Sequence, residues 1–217
     1  MSKSKIPQAV ADKIVRALTG RYGLLVTHKT GPLWTTVKVL LNGARALGYK
    51  GLPSGDEFTH DFGTTFGTIV VLPDAELSPD DLVCLLAHEA GHAEQFVADP
   101  GGFVVRYLTI PEARGSHYEV PQYAVSYALH WALTGQIPSS PRDLPAALQW
   151  GYALGEADVA HCAVALEQHI TSIVAGIMPE GACRVVLSIL AADAPEALDP
   201  GALALIRANN PEALALS

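Results

Sequence analysis

His88-Glu89-Ala90-Gly91-His92 is the stretch whose residue types and spacing could do chemistry. Residues four apart on a helix share a face, one turn above the other, so His88 and His92 can aim ring nitrogens at one zinc ion (Zn2+). Glu89, beside the first of them, is placed to take a proton from a water on that ion. In a chain with eight histidines, chance produces such a block roughly once or twice per hundred comparable sequences. The competing reading is a buried or capping histidine pair on a core helix.

The flanking residues spell out the element that would hold this block. Ser78 is a good N-cap, Pro79 suits the first helical position, and Asp80 and Asp81 complement the positive helix end. Leu82, Leu85, Leu86, Ala87, Ala90, Ala93 and Phe96 follow at helical spacing until Asp99-Pro100-Gly101-Gly102 breaks the pattern. Upstream, Thr68 to Leu72 is rich in β-branched residues and stopped by Pro73, as a strand would be.

A catalytic zinc takes three protein ligands and keeps one position open. Beyond the Gly-rich break the chain offers Glu112, His117 and Glu119 as the third. Glu119 opens a helical pattern from about Val120 to Thr134, closed by Gly135. There it forms an i, i+4 stripe with Tyr123 and Tyr127, with His130 near the same face.

The run His88 to Gln95, a Gly-Gly-Phe turn, Arg106-Tyr107-Leu108, Arg114, and Glu119 four residues before Tyr123 resembles the small HExxH proteins of bacteria and phages. These are compact gluzincin-like zinc peptidase domains. The resemblance spans roughly Thr68 to His130 and implies Glu119 as the third ligand; Glu112, at a separation familiar from larger gluzincins, is the alternative. Pro121 departs from the pattern, which usually continues a helix there. The wording His-Glu-Ala-Gly-His-Ala is also similar to that of membrane-bound AAA-type proteases, whose third ligand is a distant aspartate. That resemblance implies Asp158; otherwise Asp158 is a carboxylate favoured at a helix N-terminus.

The coarse order of elements is helix 7–19 ending at Gly20, strand Leu24 to His28, and helix Leu33 to Leu47. A strand pair follows, Phe58 to Phe62 with Thr68 to Leu72, and then the HExxH helix. After Gly135 only helices are expected: Asp143 to Trp150, Glu156 to Ile177, Ala182 to Ala192 and Gly201 to Ala208. Together with the resemblance this implies a single α+β, zincin-like domain. It would carry a small, mainly antiparallel sheet and the HExxH helix in residues 1–98, and a mostly helical lower part with the third ligand in 99–217. His161 and His169 lie eight apart on the long helix, but no further partner for a second metal is visible.

At 217 residues, 49% hydrophobic and 17% charged, the chain is globular and not disordered. A net charge of −8 without a Lys/Arg cluster speaks against nucleic acid as partner. No run of eighteen apolar residues suggests a membrane span and no export signal is visible, so a cytoplasmic location is expected. Cys84, Cys162 and Cys183 sit at no metal or disulfide spacing and suggest a reducing compartment. Cys84 lies one turn before His88, either near the metal or as a small packing residue.

The expectation is a zinc-dependent peptidase acting on a peptide or protein. His88, His92 and Glu119 would hold the ion, Glu89 would serve as general base, and Tyr123, Tyr127, His130 and His117 are candidate oxyanion donors. The alternatives are a zincin-fold structural or binding protein with non-catalytic zinc, and a metal-dependent amidase acting on a non-peptide substrate.

Overall fold

Ser78 does start the central helix: its Oγ accepts from Asp81 N at 3.2 Å, and Pro79 takes the first turn. This helix, Pro79–Ala98, is α4 in chain order. Asp80 at its N-terminus accepts from the backbone N–H of Ile6 at 2.8 Å and of Lys5 at 3.0 Å, which ties the start of the chain to the helix. Every residue from Leu86 to Ala93 is buried, so α4 is enclosed on all sides over that stretch. Ala87, Ala90, Gly91 and Ala93 let neighbouring helices approach closely there. At Gly91 a side chain would run into Gln122 Oε1.

The computed structural model describes residues 4–48, 54–61, 63–110, 112–138 and 154–215. The fold is α+β and mostly helical, with one three-stranded sheet. Ahead of α4 come α1 (Gln8–Tyr22), β1 (Leu25–His28), α2 (Pro32–Ala46), α3 (Gly55–Asp61), β2 (Thr64–Phe66) and β3 (Ile69–Leu72). After it come α5 (Pro100–Thr109), a π-helix (Ala113–Glu119), α6 (Val120–Thr134), α7 (Glu156–Val174), α8 (Ala182–Asp193) and α9 (Pro200–Asn209). Helices α1, α6 and α8 pack on α4, and β2 and β3 also touch it.

Several expectations are corrected. The sheet is mixed, not mainly antiparallel: β3 is central, parallel to β1 (Val26 opposite Val70) and antiparallel to β2 (Thr65 opposite Val70). Of the expected strand Phe58 to Phe62, Phe62 lies outside the described residues and residues 58–61 belong to α3, because Ser54 and Glu57 form a reciprocal cap. Glu57 N donates to Ser54 Oγ at 3.1 Å, and Ser54 N to Glu57 Oε2 at 2.7 Å. β3 pairs instead with Thr64–Phe66 across a tight turn where Gly67 has φ +64°. α1 runs through Gly20 and stops at Gly23, which takes the left-handed cap at φ +62°.

Asp99-Pro100-Gly101-Gly102 ends α4 but begins α5 at once, since Asp99 caps it by accepting from Gly102 N at 3.0 Å. The long helix ends at Val174, short of Ile177, and Gly176 follows at φ +84° against the backbone of Leu205. The expected helix at 143–150 lies outside the described residues. Among those described after Gly135, all regular structure is helical, and no helix is long and apolar enough to cross a membrane.

The π-helix before α6 has a local cause. Pro121 has no N–H to give the carbonyl one α-turn back, that of His117, and its ring would crowd that oxygen. The widened turn relieves this, and His117 O accepts from Gln95 Nε2 of α4 at 3.2 Å instead. Glu119 is the last residue of this π-helix, so proline decides where the carboxylate is delivered.

Candidate metal centre

Four buried polar side chains meet where α4, the π-helix and β2 converge: His88, Glu89, His92 and Glu119. His92 Nε2 lies 3.5 Å and His88 Nε2 3.9 Å from Glu119 Oε2. One donor atom from each of the three residues falls within 4.8 Å of the others, and this group could hold a metal ion. It is the only such cluster of His, Cys, Asp or Glu among the described residues.

The remaining atoms of these side chains are anchored. Glu119 Oε1 accepts from the Tyr107 hydroxyl at 2.6 Å. His88 Nδ1 faces Ser126 Oγ and His92 Nδ1 faces Gln95 Oε1, both at 3.2 Å. As Gln95 Oε1 only accepts, His92 must carry its proton on Nδ1 in that contact, which leaves Nε2 free as a ligand. Glu119 Oε2 is the exception: its side chain is 1% exposed and this oxygen has no hydrogen-bond partner. Both imidazoles stand within ion-pair distance of it, and a cation held among the three would take the place of the missing hydrogen bond.

Zinc fits the donor set. Tetrahedral coordination with bonds of about 2.0–2.1 Å puts donors about 3.3–3.4 Å apart, and the observed 3.5 and 3.9 Å are only slightly wider. Two imidazoles and one carboxylate leave room for a fourth, open position.

Charges in the cluster are strongly coupled. Burial, then the neighbouring His92, pushes the His88 pKa down to about 3. Burial also works to lower His92, but the Glu119 carboxylate outweighs it and raises this imidazole to about 9. Burial alone would raise Glu119; the two imidazoles and the Tyr107 hydroxyl reverse that, and the net shift is downward. The metal-free centre therefore holds a proton on His92 at neutral pH. Metal uptake at these ligands would have to displace it, so affinity is expected to rise with pH up to about 9 and to weaken toward acid. Calorimetry in buffers of different ionisation enthalpy is expected to show about one proton released per zinc near pH 7.5; a release of zero would contradict a protonated His92 in the metal-free centre.

Glu89 stands beside the triad. Its Oε2 accepts from Thr65 Oγ1 of β2 at 2.6 Å, and Gly63 leaves space at Oε1, where a Cβ would approach to 2.5 Å. Burial raises its pKa, partly offset by His92 and Thr65. Lys29 supplies a nearby positive charge. It is 2% exposed, donates to Phe58 O at 2.8 Å, and its Nζ lies 3.6 Å from the Phe58 ring centre. Burial lowers its pKa to about 8, against the pull of Glu89.

The other candidates are placed elsewhere. Glu112 is exposed and pairs with His161 at 3.7 Å, and His117 is exposed beside Tyr118. Asp158 caps α7 by accepting from Gly155 N at 3.2 Å. Cys84 packs against the core, its thiol pushed up to about 12 by burial and by Asp80 and Asp81. All three cysteines are free thiols. Tyr123 sets its ring edge-on to His88 at 4.8 Å; Tyr127 is buried in the core, and His130 feels Asp81 and Lys5 at the far end of α4.

Thr65, Lys29, Gln95, Tyr107 and Ser126 join the site beyond the residues expected from sequence. Gln95 carried a signal, one turn after His92 on the same helix; the others arrive through tertiary packing. Tyr107→Phe is expected to weaken zinc binding roughly 10–100-fold, the usual cost of losing an outer-shell partner. A chelator competition titration measures this, and unchanged affinity would show that the hydroxyl plays no part in fixing Glu119.

No family model matches the chain, and neither a curated protein nor a solved structure matches it.

Proposed function

We propose that this protein is a zinc-dependent peptidase of the gluzincin type, with His88, His92 and Glu119 as metal ligands and Glu89 as general base. The carrying observation is Glu119 Oε2, a buried carboxylate oxygen without a hydrogen-bond partner, facing two imidazole nitrogens beside a second buried carboxylate. A purely structural site has no need of Glu89. When bound, zinc supplies Lewis-acid polarisation of a carbonyl and lowers the pKa of water.

The protein groups do the rest. Glu89, fixed through Oε2 by Thr65, takes the proton of the attacking water and returns it to the departing amine nitrogen. Its raised pKa suits both directions of that transfer. Lys29 offsets the negative charge of Glu89. Burial of all four polar groups keeps bulk water from screening these interactions.

X-ray absorption on zinc-loaded protein tests the ligand set. Only nitrogen and oxygen neighbours near 2.0–2.1 Å are expected, with two imidazoles among them. A sulfur neighbour near 2.3 Å would bring in a cysteine and overturn the assignment.

A further inference from the structure

Helix α2 leaves an apolar face open to solvent. None of its residues is buried, and Leu33, Leu40 and Leu47 are 68%, 67% and 82% exposed. Standing seven apart, they line up along one side of the helix, which Leu47 extends by donating its N–H to Gly43 O at 3.0 Å. Thr36 and Gly43 fall between them, and the exposed Val39 flanks the row. Leucine at every seventh position is the pattern of a helix–helix seam.

Three observations say what covers this seam. The only charged residues of α2, Lys38 and Arg45, turn toward α3 and pair there with Asp56 and Glu57. The leucine face is therefore uncharged, and two copies of a chain of net charge −8 meet on it without facing like charges. Glycine inside a helix weakens it relative to alanine, yet a Cβ at Gly43 would meet nothing within 4 Å. The packing of the chain on itself gives no reason for this glycine; a second helix lying close over it does. Finally, the leucine spacing is symmetric about Leu40. An antiparallel pair with a two-fold axis there sets Leu33 of each copy on Leu47 of the other, so that one patch complements itself.

We infer that this face joins two copies of the chain, α2 against α2, antiparallel, with Leu40 on the two-fold axis. Four aliphatic side chains from each copy remove on the order of 600 Å² of apolar surface from water, which belongs to the weak, reversible class of interfaces. The inference does not depend on the peptidase reading, since no residue of the metal centre lies on α2.

Sedimentation equilibrium of the full-length protein tests this. The mass is expected to climb from 22.9 kDa toward twice that value as concentration rises, with a Kd on the order of 10 µM. Leu40→Glu, which sets two carboxylates on the axis, is expected to raise Kd at least about tenfold while the Tm of the diluted protein stays put. Leu108→Glu, at a leucine of α5 that is also 67% exposed, is expected to leave Kd unchanged. Gly43→Ala is expected to raise the Tm of the monomer through helix propensity and yet to weaken the dimer, a split that a role within one copy would not produce. Leu33→Lys and Leu47→Glu are each expected to weaken the dimer, and the two combined to restore it, because the antiparallel pair brings the new charges together with opposite sign. A single 22.9 kDa species at about 200 µM, roughly twenty times the expected Kd, would overturn the proposal. So would a dimer that survives Leu40→Glu or is lost with Leu108→Glu, or a combined variant weaker than both of its parents. A monomer that binds phosphatidylcholine vesicles and loses them with Leu40→Glu would overturn it too, and would give the face to a lipid surface.

Discussion

Replacing Glu119 by alanine is expected to strip the protein of zinc. The loss should exceed the roughly 10–100-fold that outer-shell partners cost, because the carboxylate supplies one of three ligand atoms and the group facing both imidazoles. Stability is linked to it: zinc present at about 1,000 times its Kd adds about 4 kcal/mol to the folded state. For a chain of this size that is roughly 8–16 °C in Tm. Wild type should show this rise on zinc addition and Glu119→Ala should not. Glu112→Ala is the control, since Glu112 is exposed and paired with His161. If Glu112→Ala lost zinc and Glu119→Ala kept it, the third ligand would have to be moved.

Replacing Glu89 by glutamine is expected to leave zinc in place and to remove turnover. The amide has nearly the same shape, and its oxygen can still accept from Thr65 Oγ1, so the local packing survives. What disappears is the basic oxygen, and general acid–base groups typically contribute about 10²–10⁴-fold in rate. Peptide cleavage measured beside metal content separates the two effects. Full activity with glutamine would mean that another group takes the proton. Loss of zinc together with activity would assign Glu89 a structural part.

The central helix was legible in the chain because its signals are local. Ser78, Pro79 and the two aspartates are its start, and the i, i+4 histidines need only helical geometry to converge. Glu119 was legible differently. Spacing left Glu112, His117 and Glu119 open, and only resemblance to small HExxH proteins favoured the last. The reason is physical: Glu119 reaches the histidines through a π-helix whose register depends on Pro121 and on Gln95 bonding His117 O. Neither effect is periodic.

Local competition explains the misread elements. Phe58 to Phe62 has apolar character, but the Ser54–Glu57 cap commits residues 58–61 to α3. Asp99-Pro100 reads as a break and is also a helix start. The groups around Glu89 were invisible for a further reason. Lys29 reaches it only after β1 pairs with β3, a contact between segments far apart in the chain, and Thr65 only when the β2–β3 hairpin packs on α4.

The most direct measurement is peptide-library cleavage by full-length protein carrying one zinc per chain, with new termini mapped by mass spectrometry. The library would be run before chelation, after it, and after zinc is restored. Cleavage that appears with zinc, stops on chelation and returns on reloading is the predicted result. One zinc bound per chain with the library left intact would contradict the peptidase reading.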